Sequence, residues 1–236
     1  MTSAKKLFVT GIDTGIGKTF VSSLLLAAAH QAFPTEKLAY LKPVQTGVTM
    51  DSGEMDADAV RATLVQAGVT MAQVELETTY CFEIPAAPTV ADVDGEIELT
   101  HLAKRIAALS ETTDFLLVEG AGGLMVPMTN ERLLIDCLAE WQIPTVLVTS
   151  PRLGAINQTL LSVEALERRG IEIYAIVVNW ASMTPTENTA EETFLQQLSQ
   201  WVSSLIPIVP CYSQSPMQAL DLPTLFPESL KLLQNC

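Results

Sequence analysis

One run of nine residues concentrates the groups needed to hold phosphate: Gly11-Ile12-Asp13-Thr14-Gly15-Ile16-Gly17-Lys18-Thr19. Its glycines let the backbone curl so that successive N–H groups face one centre, and a following helix would add positive potential there. Lys18 supplies a cation for phosphate oxygens, and the Thr19 hydroxyl suits Mg²⁺. Five residues separate Gly11 from Gly17, one more than in the common phosphate loop. The pattern implies a nucleotide but leaves the reaction open.

Other polar residues stand where apolar runs stop. Lys42 follows 38–41, Glu119 follows 115–118 and Asn179 follows 174–178. Ligands of open α/β sheets collect at such strand ends. Lys42 could otherwise be a solvated lysine before a proline turn, and Asn179 a turn residue whose amide, at a strand end, also suits the edge of adenine. A buried carboxylate at Glu119 needs a cation, for which Mg²⁺ is a candidate. Gly122 and Gly123 would let backbone N–H groups approach a substrate, or simply form a turn. Asp56 and Asp58 begin a helical pattern and could bind metal or stabilise the helix start. Asn157 opens another helix, where backbone N–H groups suit an anion.

The elements that must position these groups alternate along the chain. Strands are expected at 7–10, 38–41, 115–118, 145–148 and 174–178, and helices at 18–31, 56–66, 100–109, 133–141, 155–169 and 190–202. Strands apolar almost throughout are buried on both faces, so a single-domain, doubly wound α/β fold with a mainly parallel sheet and a P-loop core is expected over residues 1–236. Residues 83–95 and 43–55 read as loops, the second poised to order over the site.

Composition narrows the function. With 48% hydrophobic and 17% charged residues the chain can fill a core, and its net charge of −14 opposes nucleic-acid binding. It has no run of 18 apolar residues and no signal-peptide core, which points to a cytoplasmic protein without a membrane role. Cys81, Cys137, Cys211 and Cys236 lack metal or redox spacing. His30 and His101 read as helical surface residues, so no histidine catalysis is expected.

The Asp13-Thr14 version of the phosphate loop resembles that of the dethiobiotin synthetase family. Leu41-Lys42-Pro43-Val44-Gln45-Thr46-Gly47, Val118-Glu119-Gly120-Ala121-Gly122-Gly123 and Leu153-Gly154-Ala155-Ile156-Asn157-Gln158 follow in that family's order. The resemblance covers about residues 5–180 and thins beyond. It implies ATP and Mg²⁺, with CO₂ and 7,8-diaminopelargonic acid as substrates of a homodimer whose site lies near the subunit interface.

By the same resemblance, Asp13, Thr14, Gly15, Ile16, Gly17, Lys18, Thr19, Glu119, Gly122 and Asn179 hold the nucleotide. Thr19, Glu119 and Asp56, with Asp58 in reserve, hold the metal. Lys42 contacts a carbamate and the γ-phosphate, Thr46 hydrogen-bonds the carbamate, and Gly122, Gly123 and Asn157 complete the substrate site. Lys42, Lys18 and Thr46 would be the catalytic set. The segment 207–212, expected as an adenine-side loop, departs from the family pattern. Two other readings share the core: a partitioning or cell-division type regulatory ATPase (ParA/MinD-like), which carries a lysine where this loop has Asp13, and a cobyrinic acid amidating ligase. The latter usually adds a glutaminase domain for which this chain is too short.

Overall fold

Leu7, Phe8 and Val9 have no polar side chain and almost no exposure, and successive side chains on a strand point to opposite faces. Leu7 and Val9 therefore join one apolar cluster and Phe8 another, across the sheet. The same alternation divides Tyr40 from Leu41 and Leu117 from Leu116 and Val118. A sheet covered on both faces follows. Full burial of one such aliphatic side chain contributes about 1.5–3 kcal/mol.

The structure is a computed structural model that describes residues 5–181 and 188–211. Its strands are β1 (Lys5–Gly11), β2 (Leu38–Thr46), β3 (Val74–Phe82), β4 (Phe115–Gly123), β5 (Thr145–Thr149), β6 (Ile173–Asn179) and β7 (Ile208–Cys211). They form one sheet in the order β3-β2-β4-β1-β5-β6-β7, and every pairing is parallel. The helices are α1 (Lys18–Ala32), α2 (Asp56–Gln66), α3 (Pro88–Ala91), α4 (Leu99–Thr112), α5 (Leu134–Trp141), α6 (Ala155–Arg168) and α7 (Asn188–Trp201). Side chains of α1 and α2 fill the first cluster, and those of α4 and α5 the second. Val163 of α6 joins Leu198 of α7 in a third.

The expected doubly wound α/β fold is present, and all five expected strands form. Among the described residues two further strands escape the hydrophobic pattern because both are edges. β3 carries Glu75, Glu77 and two threonines and keeps partial exposure throughout. β7 is four residues long and contains Pro210, whose missing N–H is tolerated at an edge. Of the segment expected as an adenine-side loop, 208–211 is thus strand, and Tyr212 lies outside the described residues, as does Cys236. Within the expected loop 83–95, Pro88 starts the short helix α3, a position where its lost N–H costs nothing.

β2 is longer than its apolar core. It continues through Pro43 to Thr46, so Lys42 lies inside the strand and 43–46 is not loop. Its ladder to β4 stops at Leu41↔Val118, while its ladder to β3 runs on to Thr46↔Phe82. β2 and β4 part beyond that point. Pro43 is accommodated there because no ladder bond to β4 is needed.

Candidate active site

The parting of β2 from β4 opens a cleft of about 680 Å³, faced by the loop after β1, by the start of α2 and by the turn before α3. Four charged side chains meet in it. Glu119, at the buried end of the β4 apolar run, has no exposure at all. Its Oε1 accepts from Lys42 Nζ at 2.8 Å and Thr19 Oγ1 at 2.9 Å. Its Oε2 accepts from Ser22 Oγ at 2.7 Å and the Tyr40 hydroxyl at 3.0 Å.

Lys42 also reaches Asp56 Oδ2 at 2.6 Å and the Gly120 carbonyl at 3.3 Å. Thr19 Oγ1 also lies 3.1 Å from Asp56 Oδ1, so the two carboxylates share its single proton. Asp56 is held because its backbone N–H donates to the buried Gln45 Oε1 at 3.0 Å, tying the first residue of α2 to β2. Asp58 faces another way: its Oδ2 accepts from the Met55 N–H at 3.2 Å, closing the helix start. Of the two aspartates left open by the sequence, only Asp56 enters the cleft.

The phosphate loop is shaped by backbone geometry. Gly17 stands at φ 94°, where an added Cβ would strike the Asn179 amide and be strained in any case. One N–H of the Asn179 amide holds this turn. Its Nδ2 donates to the Ile16 carbonyl at 3.0 Å, and its Oδ1 accepts from the Ala181 N–H at 3.0 Å. Lys18 Nζ donates across the loop to the Asp13 carbonyl at 3.0 Å. Asp13 itself is exposed: Oδ1 accepts from the Thr14 N–H at 2.8 Å, and Oδ2 pairs with Arg152 at 2.6 Å.

Burial, followed by the nearby positive charge of Lys42, lowers the Lys18 ammonium from its ordinary 10.5 to about 8. Burial also opposes the charge on Lys42, but Glu119 and Asp56 outweigh it and raise its pKa. Lys42 therefore stays charged between its two carboxylates. Two ammonium groups against two carboxylates leave the cleft near neutrality, and an incoming triphosphate would need further positive charge. The donor set fits that need. Thr19, Asp56 and Glu119 present hydroxyl and carboxylate oxygens, the hard ligands Mg²⁺ takes together with phosphate oxygens and water. Two carboxylates and a hydroxyl are the oxygen donors gathered here, and among the described residues no site gathers three or more His, Cys, Asp or Glu.

Of the residues expected to act, Thr14, Gly15, Gly17, Lys18, Thr19, Lys42, Thr46, Asp56, Glu119 and Gly122 line the cleft. Asp13, Ile16 and Asn179 support the loop from outside it, and Gly123 packs against the Gly11 carbonyl at the β1–β4 seam. Asn157 is exposed on α6, away from the cleft of its own chain. His101 stacks edge-on against Tyr80, also outside the cleft.

Sequence reading missed Ser22, Tyr40 and Gln45, and the apolar wall of Val44, Pro85, Ala87, Pro88 and Val126. Tyr40 had a signal, since it lies two residues before Lys42 and so on the same face of β2. Ser22 lies one helical turn after Thr19. Nothing along the chain marks Gln45 or the wall, because their places depend on where β2 and β4 diverge.

Comparisons with known proteins place this chain in a family. Residues 5–214 match a family model described as an AAA domain. The ATP-dependent dethiobiotin synthetase BioD of Sulfurovum sp. (strain NBC37-1) is 39% identical over 165 residues, covering 70% of this chain and 78% of that protein. That of Rhodopseudomonas palustris (strain HaA2) is 39% identical over 196 residues, covering 83% and 82%. A crystal structure of a ParA family ATPase from Chlorobium tepidum TLS covers 99% of both chains with a TM-score of 0.55 at 15% identity, a likeness of fold.

Proposed function

Because this chain belongs to the ATP-dependent dethiobiotin synthetase family, an ATP-dependent ligase family, we propose that it closes the ureido ring of dethiobiotin from 7,8-diaminopelargonic acid and CO₂, yielding ADP and phosphate. The observation that carries this reading is Lys42, a buried ammonium between Glu119 and Asp56, at the junction of the phosphate loop and an apolar-walled cleft.

One amine of the diamino acid takes up CO₂ as a carbamate and releases a proton. A carbamate oxygen then attacks the γ-phosphorus of ATP and ADP leaves, forming a carbamic–phosphoric anhydride. The second amine attacks the carbonyl carbon and gives up a proton, and phosphate departs as the ring closes. These steps ask the protein for positioning and charge neutralisation rather than a nucleophile. Lys18 and the loop N–H groups hold the β- and γ-phosphates. Lys42 neutralises charge on the carbamate and the transferred phosphoryl group, and the Thr46 hydroxyl donates to the carbamate. Thr19, Asp56 and Glu119 would hold Mg²⁺, which would supply charge neutralisation at the phosphate oxygens. The wall from Val44 to Val126 suits the methylene chain of the diamino acid.

A cytoplasmic homodimer belongs to the same reading. Asn157 lies outside its own cleft, and in this reading it holds the substrate carboxylate in the cleft of a partner subunit. Leu153 beside it is wholly exposed and offers that partner an apolar contact. Asn179 serves the nucleotide by fixing the loop, with adenine contact added at the end of β6.

The test is phosphate release from MgATP and bicarbonate, with and without 7,8-diaminopelargonic acid, together with the product mass. Release that depends on the diamine and yields the closed urea is expected. Nucleotide binding without diamine-dependent turnover would overturn the ligase reading and favour a regulatory ATPase.

A further inference from the structure

Glu119 uses its two oxygens for different purposes. Oε1 faces the cleft and meets Thr19 and Lys42, whereas Oε2 points into the core and meets only hydroxyls, Ser22 Oγ from α1 and the Tyr40 phenol from β2. Ser22, Tyr40 and Glu119 all have no exposure. The Tyr40 ring packs within the apolar cluster that contains Val21, Leu25 and Leu117. Phenylalanine would fill that volume without placing a hydroxyl in the core, an arrangement that costs free energy unless the hydroxyl finds a partner. Its partner is Glu119.

We propose that Tyr40 and Ser22 are positioning residues for the metal site: by holding Glu119 Oε2 from two directions they fix the carboxylate so that Oε1 is presented to the cleft. A carboxylate bonded on one oxygen alone can turn about its last side-chain bond, whose preference is broad and roughly two-fold. Two donors from different elements remove that freedom. Removing a partner that orients a metal-binding side chain in this way typically costs about 10- to 100-fold in metal affinity or activity.

This inference rests on Glu119 being a metal ligand, and the experiment separates the two claims. Mn²⁺ binding in the presence of ADP is measured by electron paramagnetic resonance for the full chain and for Tyr40→Phe, Ser22→Ala and Glu119→Gln. Tyr40→Phe is expected to weaken Mn²⁺ binding by about 10-fold and Ser22→Ala by a similar factor. The Mg²⁺ concentration for half-activation should rise in parallel while KM for the diamino acid stays unchanged. Normal Mn²⁺ affinity in Tyr40→Phe, with weak binding in Glu119→Gln, would overturn the positioning role and leave the ligand assignment standing. Normal affinity in Glu119→Gln would overturn the ligand assignment and the inference with it. A parallel rise in KM for the diamino acid would show general distortion of the cleft and also overturn it. Should Tyr40→Phe fail to fold, Ser22→Ala removes the other donor to Oε2 and decides the matter from α1, with the same two outcomes.

Discussion

Lys42 Nζ lies 2.8 Å from Glu119 Oε1, although 77 residues separate the two along the chain. The contact bridges β2 and β4 just past the point where their ladder stops. It holds the strands together at the base of the cleft and, in the proposed reaction, keeps a cation where phosphate and carbamate charge would develop.

Lys42→Ala should lower turnover by about 10²- to 10³-fold, the effect of removing one preorganised donor from developing charge. It should also destabilise the fold by about 3 kcal/mol, because Glu119 would lose its cation in a fully buried position. Steady-state kinetics and denaturant melts measure the two effects separately. Wild-type turnover would remove Lys42 from the reaction.

The two aspartates of α2 should behave differently. Asp56→Asn should weaken Mg²⁺ activation, since Asp56 faces Thr19 and Lys42. Asp58→Ala should cost about 1 kcal/mol of stability through the lost helix-start bond and leave Mg²⁺ activation alone. Titrating Mg²⁺ in turnover assays of both variants checks this, and a metal defect confined to Asp58→Ala would reverse the assignment.

Gly17→Ala should impair MgATP binding without a change in charge. Its Cβ would meet the Asn179 amide, and alanine is strained at φ 94° by about 1–2 kcal/mol. Calorimetric titration with MgATP reads the loss. Unchanged affinity would mean that the loop can rebuild around the methyl group.

Away from the cleft, Arg105 Nε lies 3.0 Å from Glu77 Oε1, and Arg105 Nη2 lies 2.5 Å from Glu77 Oε2. The Arg105 hydrogen bond, outweighing burial, holds the Glu77 carboxyl below its ordinary 4.5. A lowered carboxylate pKa contributes stability that is fully present above 4.5 and is lost as pH falls through the lowered value. Stability curves of wild type and Arg105→Ala should therefore run apart above pH 4.5 and converge in more acidic solution. The gap should be small, because both side chains are partly exposed. Parallel curves down to the acid transition would dissociate Glu77 from acid stability.

Much of this molecule is legible along the chain where a signal is local. The phosphate loop is contiguous, and its glycines and Lys18-Thr19 have uses that follow from backbone freedom and charge. The five apolar strands announce a sheet buried on both faces because each side chain must leave water. β3 and β7 did not, since an edge strand needs less burial and tolerates glutamate or proline.

The fully buried residues of the site were only half legible for a different reason. Lys42 and Glu119 could be suspected from their places at the ends of apolar runs. That they meet, that Tyr40 and Ser22 close one oxygen of Glu119, and that Asp56 rather than Asp58 faces them depend on contacts between segments far apart in sequence. The amino-acid sequence by itself determined most of the elements and the phosphate loop, because propensity, periodicity and burial act over a few residues. Only the tertiary structure decided which side chains share the cleft, because the parting of β2 from β4 and the Gln45 tether on α2 exist once the sheet has assembled.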